Sequence, residues 1–412
     1  MVERRVSASE RGPGALLSRL RRLPVAASIA LVYLAARGVT TALLLLATQA
    51  ATPTSRFGAD PTLGSFTMGW DAQWYWLIAV SGYPTELPVD EHGVVAENTW
   101  AFMPVYPWIS NALGMGVGGY TVAAPLVSLV AGYLACLALH ALLRRRLDAA
   151  ATMWAVVFFA SGPLAALFQI GYAETLFLLW LFLGLLAVER RRWWWLYPLA
   201  PLMAFTRPGV LAFSLMLALY GIWRWVRRTR DPLPARDVVH IVAVGLLTAG
   251  LGLAWPVICG WVTGDPGAYL QTELAWRRAW LGDHGGFVPF DGFLRAAPMW
   301  FSHWGLPPWL GFVALGAVVA GLAALLLRSR HVRQVGVPLR LWSASYLLYL
   351  LAVFFPQSST FRLLVPLSPL WGAVAAPRST VWRVGVLVAC VVLQWWWILN
   401  MFGLANAYTQ VP

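Results

Sequence analysis

The sequence contains no lysine and few charged residues of any kind. Its 30 basic residues are all arginines, and Asp, Glu, Lys and Arg together make up 11% of the 412 residues, while hydrophobic residues make up 59%. Soluble domains carry about 25% charged residues, so this composition excludes an ordinary soluble domain. Repeated long apolar runs instead predict an all-α polytopic membrane protein, because helices satisfy their own backbone groups inside a bilayer.

Motifs for nucleotides and metal ions are absent as well. The sequence has no Gly-rich phosphate loop with its lysine and no Cys/His spacing typical of a metal site. Its three cysteines, Cys136, Cys259 and Cys390, lie in or at the ends of apolar runs without paired spacing, which is typical of free buried thiols. We therefore predict no cofactor, and the pattern leaves a divalent cation open.

The net charge of +13 could indicate either nucleic-acid binding or membrane orientation signals. Arginines cluster between the apolar runs, as at 144–146 and 190–192, and such clusters beside spans mark the cytoplasmic side. We therefore predict no nucleic-acid partner. The expected location is the plasma membrane, with a cytoplasmic N-terminus and an external C-terminus.

This orientation divides the chain into a cytoplasmic basic tail (1–24), a transmembrane domain (25–404) and an external C-terminal tail (405–412). The segments 51–118 and 263–305 are predicted to be external loops, the first of them catalytic and containing amphipathic helices. About eleven spans are predicted, at 25–50, 119–143, two within 150–188, two within 193–223, and at 239–262, 307–327, 341–355, 363–376 and 384–404.

One carboxylate, Asp71, stands inside an aromatic segment, 69–84, of the first external loop. In a helix, Trp70 and Trp74 lie along one side, and Asp71 and Tyr75 along the neighbouring stripe. Asp71 then faces the mouth of the membrane domain, where a general base could meet a lipid-linked substrate. The alternative is an acid favoured only by the dipole at a helix N-terminus.

Other ionisable residues lie beside apolar runs. Glu174 opens such a run, and an acid near a bilayer edge usually faces a wet cavity or a cation. Arginine binds phosphate through a fixed fork of donors, so Arg362 is our first choice for a phosphate and Arg207 the second. Arg37 is interpreted as the structural partner of a buried carboxylate. The scattered His92, His284 and His303 are interpreted as solvated or packing residues, and Arg277, Arg278 and Arg295 lie in the second external loop.

Several of these segments resemble the GPI mannosyltransferase II (PIG-V type) family and its bacterial relatives, which have the GT-C fold of polytopic glycosyltransferases. The resembling residues are Arg37 with Thr40 and Thr41, Trp70-Asp71 through Gly82-Tyr83, Ala101 to Pro107, Tyr172 to Phe177, and Thr206 to Gly209. These motifs lie mainly in the first half of the chain. Many GT-C enzymes carry paired acids in the first loop, whereas Asp71 has no adjacent acid.

The resemblance implies an inverting transfer of mannose from a polyprenyl-phosphate-mannose donor to a lipid-linked or glycan acceptor on the external face. It implies that Asp71 is the general base, and we add Glu174 as a second catalytic residue. The donor phosphate is predicted to be bound by Arg362, Arg207 and Arg278. The predicted substrate cavity is lined by Trp70, Trp74, Tyr75, Tyr83, Trp100, Phe102 and Tyr172.

Two other functions remain as alternatives. A transporter or lipid flippase would place ionisable residues through the depth of the membrane and often has internal repeats, whereas here the unusual charges lie at the external ends and no repeat is visible. The other alternative is an inactive assembly subunit of a glycosyltransferase, and the sequence names no partner subunit.

Overall fold

The structure is a computed structural model that describes residues 23–281, 285–406 and 411–412. It confirms the predicted all-α class, since the described part contains helices and a single isolated bridge, Val89 with Val95, but no strand. The predicted tail 1–24 lies outside the described residues except for its last two, as do His284 and 407–410.

Eighteen α-helices, α1 to α18 in chain order, make up the described part: Val25–Gln49, Leu63–Thr67, Asp71–Ser81, Val105–Val117, Tyr120–Leu143, Ala149–Ala160, Glu174–Glu189, Leu196–Ala204, Val210–Val226, Ala235–Thr263, Ala268–Leu281, Asp291–His303, Trp309–Arg328, Arg330–Gln334, Val337–Val353, Thr360–Leu363, Trp371–Ala375 and Thr380–Ile398. Short 3₁₀ turns occur at Thr99–Ala101, Ala165–Phe168, Trp193–Trp195 and Val365–Leu370, and a π turn, Leu399–Gly403, extends α18.

Five of the described helices are long and apolar enough to cross a membrane: α1, α5, α10, α13 and α18 with its π turn. Much of their surface faces outward, and only 11% of the most apolar window of α13 is buried inside the protein. Apolar side chains that are exposed on the protein surface in this way are expected where lipid replaces water as the solvent. The chain is therefore a membrane protein.

Several predicted spans are shorter or more broken than expected. The run 150–188 forms α6 and α7, of 12 and 16 residues, instead of two spans of about 18–20 residues. The helix α6 ends just before Gly162-Pro163, which cannot continue a helix. The predicted span 363–376 is likewise divided between α16, the 3₁₀ turn Val365–Leu370 and α17, because Pro366 and Pro369 remove backbone donors.

Ion pairs join the arginine-rich loops at one end of the molecule. Arg146 pairs with Glu189 at 2.5 Å, and Arg191 pairs with Asp231 at 2.6 Å, so three of the loops predicted to be cytoplasmic lie together. The helix α7 runs from this end to Glu174, and its 16 residues span about 24 Å. Glu174 and its neighbours therefore lie at the opposite end of the helices from the arginine clusters.

Candidate active site

The backbone before α3 fixes the position of Asp71, the first residue of that helix. Trp70 has a φ of 55°, a conformation that costs a non-glycine residue free energy and needs support from its surroundings. That support comes from the Trp70 ring, whose Nε1 donates to the Met401 carbonyl at 2.9 Å and whose face lies 4.2 Å from the Arg56 guanidinium carbon. Gly69 is required here, because a Cβ at that position would lie 2.5 Å from the Phe57 ring.

Four charged side chains form an alternating chain at this point. Arg362 Nη1 contacts Asp71 Oδ2, Arg362 Nε lies 3.3 Å from Glu174 Oε1, and Arg207 Nη1 contacts the same Glu174 oxygen. The side chains of Glu174, Arg362, Arg207 and Asp71 are only 3%, 10%, 14% and 16% exposed. The two acids and two arginines balance in charge, as buried ionised groups must.

The Tyr172 side chain packs against this ion-pair chain from behind. Its ring centroid lies 5.2 Å from the Arg362 guanidinium carbon, and its hydroxyl accepts a hydrogen bond from the Asp71 backbone N–H at 3.3 Å. The Ser128 hydroxyl in turn donates to the Tyr172 carbonyl at 3.0 Å. Tyr172 is fully buried, so it orients Asp71 and Arg362 instead of lining the space that a substrate would enter.

A cavity of about 510 Å³ opens beside the ion-pair chain. Of the residues predicted for the site, Asp71, Tyr75, Phe102, Arg207 and Arg362 line it. Five of the predicted aromatic residues are not among the residues that line this cavity: Trp70, Trp74, Tyr83, Trp100 and Tyr172.

Trp70, Trp74, Tyr83 and Trp100 are engaged in contacts with other parts of the protein instead of lining the cavity. Trp74 stacks on Phe102, with ring centroids 6.0 Å apart. Tyr83 packs on Trp100 at 4.6 Å and donates its hydroxyl hydrogen to the Phe102 carbonyl at 2.9 Å. These contacts hold the Phe102 segment against α3, so their role is indirect.

Arg278 is not among the residues that line the cavity, and its role as a phosphate ligand stays a prediction. Its guanidinium donates to the Val95 carbonyl, whereas the preceding residue, Arg277, lines the cavity. Arg277 is already engaged, because it pairs with Asp291 at 2.5 Å and lies 5.4 Å from the centre of the Phe355 ring.

Arg37 is structural, as predicted, but its partners are not a carboxylate. Its guanidinium donates to the carbonyls of Ala160 at 2.6 Å and Ala165 at 2.5 Å, and it lies 4.8 Å from the Phe168 ring centroid. Ala160 is the last residue of α6 and Ala165 the first of the following 3₁₀ turn, so the buried cation satisfies carbonyls on both sides of the break between them. Arg37 thereby fixes the loop 161–173 that leads to Tyr172 and Glu174.

A second, apolar groove of about 710 Å³ meets the ion-pair chain at Glu174. Apolar side chains from α7, α17 and α18 line it, including Leu178, Val374 and Trp397. Glu174 lines this groove, and its partner Arg207 lines the cavity. An amphiphile with an apolar tail and a charged head could therefore have its head at the ion-pair chain.

Burial raises the pKa of the Asp71 carboxyl above its ordinary value, an effect that the neighbouring Arg362 opposes. A carboxylate with a raised pKa accepts a proton more readily than a solvated one, which suits a general base. Asp71 is also the first residue of α3. Its position therefore agrees both with a general base and with an acid that is favoured by the helix dipole.

Several residues that line the cavity were not predicted from the sequence, among them Glu273, Tyr269, Tyr346 and Tyr349. Glu273 lies within the segment 263–305 that was predicted to be an external loop, and its neighbours Thr272 and Leu274 gave no signal of a site. Among the described residues, no group of three or more His, Cys, Asp or Glu side chains could hold a metal ion. The absence of a cofactor stays a prediction.

No protein-family model and no curated protein matches the sequence. The structure is similar to that of ArnT from Cupriavidus metallidurans bound to undecaprenyl phosphate, at 15% identity and a TM-score of 0.48, over 89% of this chain and 63% of that chain. It is also similar to the archaeal oligosaccharyltransferase AglB from Archaeoglobus fulgidus in complex with an inhibitory peptide and a dolichol-phosphate, at 12% identity and a TM-score of 0.41, over 91% of this chain and 56% of that chain. The chain thus spans less than two thirds of the length of either protein, and we base its function on the geometry of its own site.

Proposed function

We propose that this protein is a membrane glycosyltransferase of the GT-C type that uses a polyprenyl-phosphate-linked sugar as donor. The observation that carries the proposal is the ion-pair chain of Asp71, Arg362, Glu174 and Arg207 between a polar cavity and an apolar groove. A lipid-linked sugar phosphate has the same three parts in the same order: sugar, phosphate and apolar tail.

The apolar groove suits the isoprenoid tail. Its walls are apolar except for Glu174, Thr175 and Ser368, so a hydrocarbon chain in the groove covers few polar groups. Glu174 lines the groove and pairs with both arginines. A tail in the groove therefore places the attached phosphate at Arg362 and Arg207.

Both arginines are paired with carboxylates in the structure. A phosphate is a stronger partner, because it offers several charged oxygens to the planar guanidinium forks. When it binds Arg362, that side chain exchanges Asp71 for the phosphate, and Asp71 is released toward the cavity. Donor binding and exposure of the base are thereby linked in one exchange.

The transfer itself needs one base and one stabilised leaving group. The acceptor hydroxyl oxygen forms a bond to the anomeric carbon, its proton passes to Asp71, and the bond between the anomeric carbon and the phosphate oxygen breaks. The lipid phosphate leaves with both electrons of that bond, and Arg362 and Arg207 stabilise its added charge. A single displacement of this kind inverts the anomeric configuration.

Finer features of the proposal come from the sequence. Mannose as the sugar, and a lipid-linked or glycan acceptor, are proposed from the motif resemblance. The external face of the plasma membrane is proposed from the arginine clusters, because the candidate site lies at the opposite end of α7 from Arg146 and Arg191.

The proposal is tested with purified protein in nanodiscs, radiolabelled polyprenyl-phosphate-mannose and a membrane lipid extract. We expect transfer by the wild type and a loss of about 10²–10⁴-fold in Asp71→Asn, which keeps the shape of the side chain but cannot take the proton. The matched control is Asp60→Asn, because Asp60 is an exposed acid of the same segment.

Two outcomes would contradict the proposal. Transfer by Asp71→Asn at the wild-type rate would remove Asp71 as the base. Movement of the labelled lipid across the bilayer of sealed proteoliposomes without transfer, measured by protection from an external mannosidase, would identify a flippase instead.

A further inference from the structure

A second carboxyl group, Glu273, lines the same cavity as Asp71 but has no part in the proposed transfer step. It lies on α11, in the second external segment, and its position is well defined. Thr272, the residue before it, is fully buried and accepts a hydrogen bond from Asn98 Nδ2 at 2.9 Å. With Thr272 fixed against the first external segment, the next residue along the helix faces the cavity.

The helical spacing of α11 separates a packing stripe from a cavity stripe. Ala268, Thr272 and Ala275 are buried, while Tyr269, Glu273 and Trp276 line the cavity. Residues three and four apart share a helix face, so the cavity stripe presents a carboxyl group between two aromatic rings. From α15, Tyr349 completes this end of the cavity.

The two ends of the cavity differ in the groups that they offer to an anion. Arg207 and Arg362 lie at the Asp71 end, where a phosphate can exchange for the carboxylates that hold them. Glu273 lies beside Tyr269, and no arginine of the described part forms an ion pair with it. Arg277 also lines the cavity, but it is engaged by Asp291 at 2.5 Å. A phosphate is therefore better accommodated at the arginines of the first end than beside the Glu273 carboxyl.

We propose that the Glu273 end of the cavity is the acceptor subsite, where the Glu273 carboxyl binds a hydroxyl of a neutral, polyhydroxylated headgroup such as a sugar. This inference rests on the proposed function, which supplies the need for an acceptor hydroxyl. A carboxyl group is suited to a hydroxyl, because the ionised form accepts its hydrogen and the protonated form can also donate. Tyr269, Trp276 and Tyr349 offer flat apolar walls with polar edges for the rest of the ring.

The protonation state of Glu273 agrees with this geometry. Burial raises its pKa to about 7, and the neighbouring Tyr269 side chain opposes that rise. Besides Tyr269, the titratable or charged groups facing this end are Tyr349 from α15 and the paired Arg277. Near neutral pH the ionised and the protonated forms of the Glu273 carboxyl are therefore both available to a ligand. The ionised form repels an anionic ligand.

The test uses butyl mannoside as a neutral acceptor and butyl glucuronide as an anionic one, with the full-length protein in nanodiscs and polyprenyl-phosphate-mannose as donor. We expect Glu273→Gln to raise the KM for butyl mannoside about tenfold, with the KM for the donor unchanged. We expect the same variant to use butyl glucuronide better than the wild type does. Glu86→Gln, a change at an exposed acid of the first external segment, should alter neither value.

A structural role for Glu273 would lower activity toward both acceptors together, so opposite changes separate the two explanations. Equal KM values for butyl mannoside in wild type and Glu273→Gln would overturn the subsite, as would a change in the donor KM alone. If the wild type transfers nothing, the proposed function fails. Quenching of tryptophan fluorescence by butyl mannoside, with Trp276 in the cavity wall, then tests the subsite, and equal binding by Glu273→Gln would overturn it.

Discussion

Arg362 holds both carboxylates of the candidate site, since it contacts Asp71 and lies 3.3 Å from Glu174. Its removal leaves two acids with Arg207 as their one remaining cation in the ion-pair chain. An uncompensated buried charge costs about 3–5 kcal/mol, although an acid can avoid part of this cost by taking up a proton. The same residue is expected to bind the donor phosphate, so its substitution affects stability and activity together.

We predict that Arg362→Gln lowers transfer by about 10²-fold or more and changes its pH dependence. The base must be ionised to act, so activity falls as the pH falls through the pKa of Asp71. Arg362 lowers that pKa, so its loss should move the acidic limb of kcat/KM to higher pH. Arg362→Lys keeps the charge and should restore the position of the limb but not the full rate. An unchanged limb in Arg362→Gln would contradict the pairing.

A second prediction at this scale concerns Gly69. We expect Gly69→Ala to destabilise the protein by about 1–3 kcal/mol, because its Cβ would meet the Phe57 ring at 2.5 Å. Thermal unfolding in detergent measures the loss. Gly64→Ala is the matched control, since a Cβ there meets only an ordinary contact at 3.4 Å. A Tm in Gly69→Ala equal to that of the control would show that this turn is not tightly packed.

The sequence was sufficient to select the charged residues of the site but not to pair them. Asp71, Glu174, Arg207 and Arg362 are ionisable residues at the ends of apolar runs, where burial needs a partner. The partners are distant in sequence, since 291 positions separate Asp71 from Arg362. The sequence could not distinguish Arg278 from Arg277, because consecutive helix residues point about 100° apart, and only the packing of α11 decides that Arg277 lines the cavity.

At the scale of elements, the candidate site is built where helices break. The loop 161–173, the turn 205–209 and the segment 354–359 are non-helical or only briefly helical, and they lead to Glu174, to Arg207 and to Arg362. Irregular backbone near a membrane persists only where protein groups satisfy it. Arg37 does this for the first break through the carbonyls of Ala160 and Ala165.

We predict that Arg37→Met lowers both stability and transfer, because two buried carbonyls lose their donor and the loop before Tyr172 moves. Asp148→Ala is the control, since it removes the N-terminal cap of α6, where the Asp148 side chain accepts from Ala151 N at 2.8 Å. The control should cost about 1 kcal/mol with an unchanged KM for the donor. Equal KM values in both variants would show that Arg37 supports the fold alone.

At the scale of the whole molecule, the cavity and the groove meet at the ion-pair chain. In the proposed function, different helices therefore contact different parts of the donor. The groove is formed by α7, α17 and α18 and the cavity by α3, α11 and α15, among other segments. Substitutions in the groove should therefore affect the lipid tail without altering the chemistry at Asp71.

We predict that Val374→Trp, in the groove wall, raises the KM for a long-chain polyprenyl donor about tenfold or more. The KM for a short-chain analogue, whose tail does not reach that wall, should change little. Val388→Trp is the control, because Val388 is 56% exposed on the outer face of α18. Equal increases for both donors would place the tail elsewhere.

The balanced ion-pair chain also sets a requirement for turnover. After transfer, the spent lipid phosphate carries more negative charge than the donor did, and it is still bound to Arg362 and Arg207. Asp71, once it loses the acceptor proton to water, and Glu174 are the two anions already in place to take these arginines back. In the proposed function the carboxylates thus compete with the product for the same arginines, which favours its release.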